Sequence, residues 1–100
     1  MFKREQLVDH IGAYRTQSLF IETNSTDTPA LMTLKEVDWM YHGKMYPSFR
    51  RLYMEIADPE EYQTAIQIFG SWEHWKKLLR NKKIRLRIEQ YREELEISIR

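Results

Sequence analysis

The side chains with the most chemistry to offer fall in two clusters. Lys44, Tyr46, Ser48, Arg50 and Arg51 lie within eight residues of one another. An arginine fork matches the major-groove edge of guanine, serine and tyrosine hydroxyls suit phosphate oxygens, and lysine adds charge. The second cluster follows His74: Lys76, Lys77, Arg80, Lys82, Lys83, Arg85 and Arg87, with Glu73 the one acid beside them. Each phosphate neutralised by such side chains adds to the salt dependence of binding. The same run also fits the solvated faces of two amphipathic helices, where cations in a last turn answer the helix dipole. Beyond it, Glu89, Glu93, Glu94 and Glu96 reverse the sign, so a net charge of only +1 conceals a basic segment and an acidic end.

Other chemistry finds little support. His10, His42 and His74 are widely spaced, and His74 has only the adjacent Glu73, which points elsewhere on a helix. There is no cysteine, which removes thiol catalysis, disulfides and cysteine-type zinc sites. Neither a phosphate-cradling glycine loop nor an H-E-x-x-H pair is present. Ser18, Ser25, Ser48, Ser71 and Ser98 lie in no nucleophile elbow. Glu60-Glu61 and Glu93-Glu94 are adjacent carboxylates better suited to helix dipoles than to an acid/base pair. A non-enzymatic protein with no cofactor and no metal is expected.

The elements that must position the two clusters read as helices. One hundred residues with 42% hydrophobic and 13% aromatic content supply one small core, and scarce glycine and proline disfavour a turn-rich sandwich. Leu7, Val8, Ile11 and Tyr14 fall at helical spacing, giving an N-terminal helix within residues 1–22, and a polar loop covers 23–32. Thr33-Leu34-Lys35-Glu36 has the form of a capping box, so a helix is expected from Leu34, with Leu34, Val37 and Met40 or Tyr41 inward and Gly43 as its terminator. Pro47 suits the first turn of the next helix, which carries Phe49, Leu52, Tyr53 and Ile56 inward. Asp58-Pro59-Glu60-Glu61 opens a helix with Tyr62, Ala65, Ile66 and Phe69 on its face, ended by Gly70. Ser71 caps another with Trp72, Trp75, Leu78 and Leu79, so that 59–80 holds two short helices. Asn81 breaks the chain, and Ile84, Ile88, Tyr91, Leu95 and Ile99 step along a last helix over 83–100. The expectation is an all-α bundle of five to six short helices.

Within it, residues 33–57 have the arithmetic of a helix-turn-helix, whose second helix would present the first cluster to a DNA groove. The order Thr33-Leu34-Lys35-Glu36-Val37, Gly43, Pro47-Ser48-Phe49-Arg50-Arg51-Leu52-Tyr53, followed by Asp58-Pro59-Glu60-Glu61-Tyr62 and Ala65, resembles the helix-turn-helix of phage terminase small subunits. Gly70-Ser71-Trp72-Glu73-His74-Trp75 and Tyr91-Arg92-Glu93-Glu94-Leu95-Glu96 are similar to small phage-encoded proteins, which extends the likeness over residues 33–97. The resemblance implies recognition of viral double-stranded DNA for packaging. It also implies assembly as a homo-oligomeric ring with a larger ATPase-nuclease partner. The expected DNA contacts are Lys44, Tyr46, Ser48, Arg50 and Arg51, with Lys76, Lys77, Lys82 and Lys83 on phosphates.

Two other readings compete. A helical adaptor or inhibitor would grip a host or viral protein through Trp39, Tyr41 and Met45. A structural oligomer would associate through the last helix. Trp39, beside Asp38 on the polar side of its expected helix, and Leu86 and Ile97, off the main seam, are the candidate interface residues. Met1-Phe2-Lys3-Arg4-Glu5 has no apolar run behind its charges, and no apolar run approaches membrane-spanning length. No membrane partner is expected, and the expected location is the cytoplasm, that of the host cell if the source is viral.

Overall fold

The computed structural model describes residues 1–99; the final position of the expected last helix, Arg100, lies outside the described residues. The order of elements is a single helical turn α1 (Arg4–Leu7), a 3-10 turn at Gln17–Leu19, strands β1 (Trp39–Tyr41) and β2 (Lys44–Tyr46), and helix α2 (Phe49–Ile56). After these come the short α3 (Tyr62–Thr64) running into a π turn (Ala65–Phe69), then α4 (Trp72–Arg80) and α5 (Lys82–Ser98). The two strands form an antiparallel pair with Trp39 opposite Tyr46, Met40 opposite Met45 and Tyr41 opposite Lys44. The expectation of an all-α bundle is therefore corrected: the fold is mostly helical but mixed, with a β-hairpin where the first helix of a helix-turn-helix was expected.

The hairpin forms because the Thr33 capping box is diverted. The Thr33 hydroxyl donates to Oε2 of Glu22, and Glu22 Oε1 accepts the Leu34 amide at 2.7 Å, so a carboxylate from the preceding segment satisfies the donors a helix start would expose. Thr33 also bridges Ser48 in extended conformation, its amide donating to the Pro47 carbonyl and its carbonyl accepting from the Phe49 amide. His42 and Gly43 both have positive φ, 48° and 75°, the signature of a two-residue turn whose twist matches that of a hairpin. Gly43 thus turns a hairpin rather than ending a helix.

The N-terminal helix expected over residues 1–22 is reduced to the turn at Arg4–Leu7. Asp9 captures the chain next: its Oδ1 accepts the amides of Ile11 and Ala13, both at 3.0 Å, and Val8 pairs with Tyr14 across the resulting turn. Irregular backbone up to Pro29 is then held by the buried guanidinium of Arg15. It donates to the carbonyls of Gln6 (2.6 Å), Ser18 (2.8 Å) and Pro29 (2.8 Å) and to the Ser18 hydroxyl (2.9 Å).

Helices α2, α4 and α5 lie where the sequence spacing places them. Ser48 caps α2, Ser71 caps α4 and Asn81 caps α5, each accepting the amide three residues on. Phe49 is the hub of the core, with ring centroids 5.1 Å from Phe20, 5.6 Å from Tyr91, 6.0 Å from Trp75 and 6.1 Å from Phe69. Such tilted and edge-on pairs add about 0.5–1.5 kcal/mol each to the burial itself. Ile84, Ile88, Tyr91 and Leu95 bury the seam of α5 against this hub, whereas Ile99 is exposed. The expected face Tyr62, Ala65, Ile66, Phe69 is corrected by the π turn. Its wider spacing brings Ile68 inward with Ala65 and Phe69 and leaves Tyr62 and Ile66 exposed. The Asp58 cap is displaced too. Its carboxylate accepts the amides of Glu60 and Gln63, and Glu61 enters α3 in left-handed conformation, φ 69°.

Candidate nucleic-acid interface

The first basic cluster does not converge on one helix face. Lys44 and Tyr46 are on β2, Ser48 is the cap of α2, and only Arg50 and Arg51 are helical. Ser48 is fully buried: its hydroxyl donates to the Lys35 carbonyl (2.6 Å) and accepts the Arg51 amide (3.1 Å), while its own amide donates to Asp38 Oδ1 (2.8 Å). It is a structural cap and is withdrawn as a DNA contact. Arg50 Nε lies 2.7 Å from Glu94 Oε2. Arg51 is held twice, by Asp38 through Nε (2.7 Å) and by Glu55 through Nη1 (2.8 Å). Its neighbours Asp38 and Glu55 raise the Arg51 pKa, and the guanidinium, with the Ser48 amide, holds the Asp38 carboxyl below the usual carboxylate range. Lys44 reaches the Ala30 carbonyl at 3.2 Å and lies over the ring of Tyr46. Asp38 and Glu94, the acids that engage the two arginines, were not identified by sequence reasoning; nothing local signals a partner 44 residues away.

The second cluster lies on two consecutive helices, α4 and α5. Helices α4 and α5 meet at Asn81, whose amide closes α4 onto the Leu78 carbonyl (3.0 Å) and whose Oδ1 accepts the Ile84 amide (3.2 Å). Around this elbow stand Lys76, Lys77, Arg80, Lys82 and Lys83. Lys76 pairs with Glu73 at 2.9 Å, but Lys77, Arg80, Lys82 and Lys83 have no carboxylate within ion-pair distance among the described residues. Arg80, Lys82 and Lys83 are exposed and Lys77 is half-buried. Further along α5, Arg85 approaches Glu89 at 3.7 Å and Arg87 reaches back to the Leu34 carbonyl at 3.4 Å.

The helix dipoles separate two kinds of cation here. Lys77 and Arg80 occupy the last turn of α4, where positive charge is favoured. Lys82 and Lys83 occupy the first turn of α5, where the dipole is itself positive and cations are disfavoured. Dipole compensation explains the first pair and not the second.

Of the interface residues, Leu86 (46% exposed) and Ile97 (69%) are on the outer side of α5. Trp39 is half-buried in β1, stacked on Tyr41 with centroids 4.7 Å apart, rather than on the polar side of a helix. The described residues contain no group of His, Cys, Asp or Glu placed to hold a metal, and no described helix is long and apolar enough to cross a membrane. Compared with protein families, with curated proteins and with solved structures, the chain matches none.

Proposed function

We propose that this chain is a non-catalytic DNA-binding protein that grips the phosphates of double-stranded DNA with the elbow between α4 and α5. One observation carries the reading: among the described residues Lys77, Arg80, Lys82 and Lys83, on either side of Asn81, have no carboxylate within ion-pair distance, while Arg50, Arg51 and Arg92 are all tied to acids. Two of these lysines stand where the α5 dipole opposes them, a placement that costs stability and serves an incoming anion. Phosphate contacts of this kind position a protein on the duplex without reading its sequence. The likeness of residues 33–97 to phage terminase small subunits adds DNA packaging, a homo-oligomer and a larger ATPase-nuclease partner to the same proposal. Its place of action would be the cytoplasm of a host cell.

Fluorescence anisotropy of a labelled duplex, titrated at low and at physiological salt, tests it. Four phosphate contacts predict a log-affinity against log-salt slope of roughly −3 to −4. Reversing Lys82 and Lys83 to Glu should abolish binding at physiological salt and flatten that slope. Binding that the double reversal leaves intact overturns the reading. Absence of binding even at low salt hands the protein to the adaptor reading, which has the solvent-facing Met40–Met45 pair of the hairpin in its favour.

A further inference from the structure

Residues 39–47, the hairpin and its exit, contain three aromatic rings, two methionines, a lysine and a histidine, and no carboxylate. Opposed residues of an antiparallel pair share a face, so Trp39, Tyr41, Lys44 and Tyr46 stand on one side and Met40 and Met45 on the other. On the first side the Trp39 and Tyr41 rings are stacked, interplanar angle 22°. Lys35 Nζ lies 4.7 Å from the Trp39 centroid and Lys44 Nζ 5.0 Å from that of Tyr46. Beside the stacked pair opens a hollow of about 240 Å³ walled by Ile21, Glu22, Lys35, Trp39 and Tyr41. A second hollow, walled by Glu22, Leu34, Lys35, Glu36 and Arg87, shares Glu22 and Lys35 with it, so two acids and two cations line the way to α5. Arg87 and Lys83 are four residues apart on the same stripe of α5, so the groove leads from the aromatic pair to the basic elbow.

We propose that this groove binds single-stranded nucleic acid, one base lying against Trp39 and Tyr41 and the following phosphates on Lys35, Arg87 and Lys83. The proposal rests on the elbow reading and deepens it, since the same strand then continues onto Lys82 and Lys83. Rings interleaved with cations are the chemistry of sequence-tolerant single-strand binding, because every base offers a flat face and every linkage a charge. A duplex keeps its bases stacked inside and cannot present one to these rings. The first hollow is smaller than a drug-sized ligand needs and suits a single flat ring. Glu22 keeps its negative charge, but the Thr33 hydroxyl and the Leu34 amide hold both its oxygens in place, and the phosphates lie on Lys35, Arg87 and Lys83 rather than on it. Lys35 must leave the face of Trp39. An exposed cation–π contact is weaker than a base–aromatic stack, and the released ammonium moves to a phosphate.

The test uses a fluorescein-labelled oligo-dT of about twelve nucleotides, within the span such grooves cover, beside a labelled duplex, with the full chain. Tyr41 is exposed, so Tyr41→Ala should fold, and thermal melting of each variant checks that it does. The expected result is single-strand binding weakened about tenfold by Tyr41→Ala and by Trp39→Leu, retained in Trp39→Phe, with duplex affinity unchanged by all three. Single-strand affinity indifferent to Tyr41 and Trp39 overturns the proposal while leaving the elbow reading standing. So does duplex binding without single-strand binding, which would point the hairpin to a protein partner. Single-strand binding that needs Tyr41 but survives the Lys82/Lys83 reversal, with no duplex binding, overturns the elbow and, with it, the strand path onto Lys83 that the proposal states. Failure of both probes at low salt overturns both.

Discussion

The imidazole of His74 meets the carbonyl oxygen of Arg15 through Nε2 at 2.6 Å, with no solvent access to the ring. A carbonyl only accepts, so Nε2 carries the proton and the other ring nitrogen, Nδ1, is left without a partner. Tyr14 stacks on one side at 4.6 Å and Phe69 lies at 5.0 Å. This bond ties α4 to the irregular N-terminal segment; the hydrogen bond itself survives protonation, and it is the burial of the ring that disfavours the charged form.

Burial lowers the His74 pKa below its ordinary 6.5, and the nearby Lys77 lowers it further, against the opposing effect of the Arg15 carbonyl. The unfolded chain therefore takes up the proton first as pH falls. Stability is complete above about pH 6.5 and declines below it, by at most about 1.4 kcal/mol per pH unit from this group, until the folded form also protonates. Chemical denaturation between pH 7.5 and 5 should show that slope in the wild type and a flatter one in His74→Gln. Equal slopes in the two proteins would remove His74 as the cause.

Glu61 supports a second prediction. Its carboxylate is buried and accepts from Tyr53 Oη (2.7 Å), Trp75 Nε1 (3.3 Å) and, bidentately, Arg92 (2.7 and 2.8 Å). Arg92 is 44% exposed and can turn to water, but Tyr53 and Trp75 cannot. Glu61→Ala should cost about 3 kcal/mol, the desolvation of two stranded donors plus part of an ion pair. Urea denaturation measures it, and a loss under about 1 kcal/mol would mean that water replaces the carboxylate.

The parts of this fold legible in the sequence are those whose signals are local. Ser71 caps α4 because the donor it serves is three residues away, and the α5 seam is read from spacing alone; Ser48 and Asn81 cap α2 and α5 in the same way, although in the sequence the one reads as a DNA contact and the other as a break. Thr33 carried the same local signal and was overruled by Glu22, a carboxylate eleven residues back that no spacing rule connects to it. The hairpin did leave a trace: Trp-Met-Tyr and Lys-Met-Tyr flank His42-Gly43, two short runs of strand-forming residues around a turn pair. The preceding S/T-x-x-E pattern outweighed it. The elbow lysines were legible as charge, but their lack of partners was not, since pairing depends on which acids the fold brings near.

Gly43 tests the hairpin directly. At φ 75° an alanine is strained, yet an added Cβ meets no atom within 4 Å, so the cost is conformational alone. Gly43→Ala should destabilise by about 1 kcal/mol, and Gly43→Val by more because β-branching disfavours left-handed backbone. Thermal melting checks the order. A neutral or stabilising Gly43→Val would argue that residues 42–43 do not turn as described.

Arg51 separates the present reading from a recognition helix. As a base-reading residue it would cost about 1–3 kcal/mol of DNA affinity on truncation. In the structure its guanidinium is already engaged by Asp38 and Glu55, and Asp38 in turn holds the Ser48 amide at the start of α2. The side chains of Arg51 and Asp38 are about one-third exposed, 37% and 34%, so solvent screens the pair. Arg51→Ala should therefore lower stability by about 1 kcal/mol or less and leave duplex affinity unchanged, whereas the Lys82/Lys83 reversal removes binding without destabilising the fold. Because Lys82 and Lys83 oppose the α5 dipole, that reversal should even raise the melting temperature slightly. Anisotropy and thermal melting on the same two variants decide it. Affinity lost with Arg51 and kept without the lysines would place the DNA on α2 and away from the elbow.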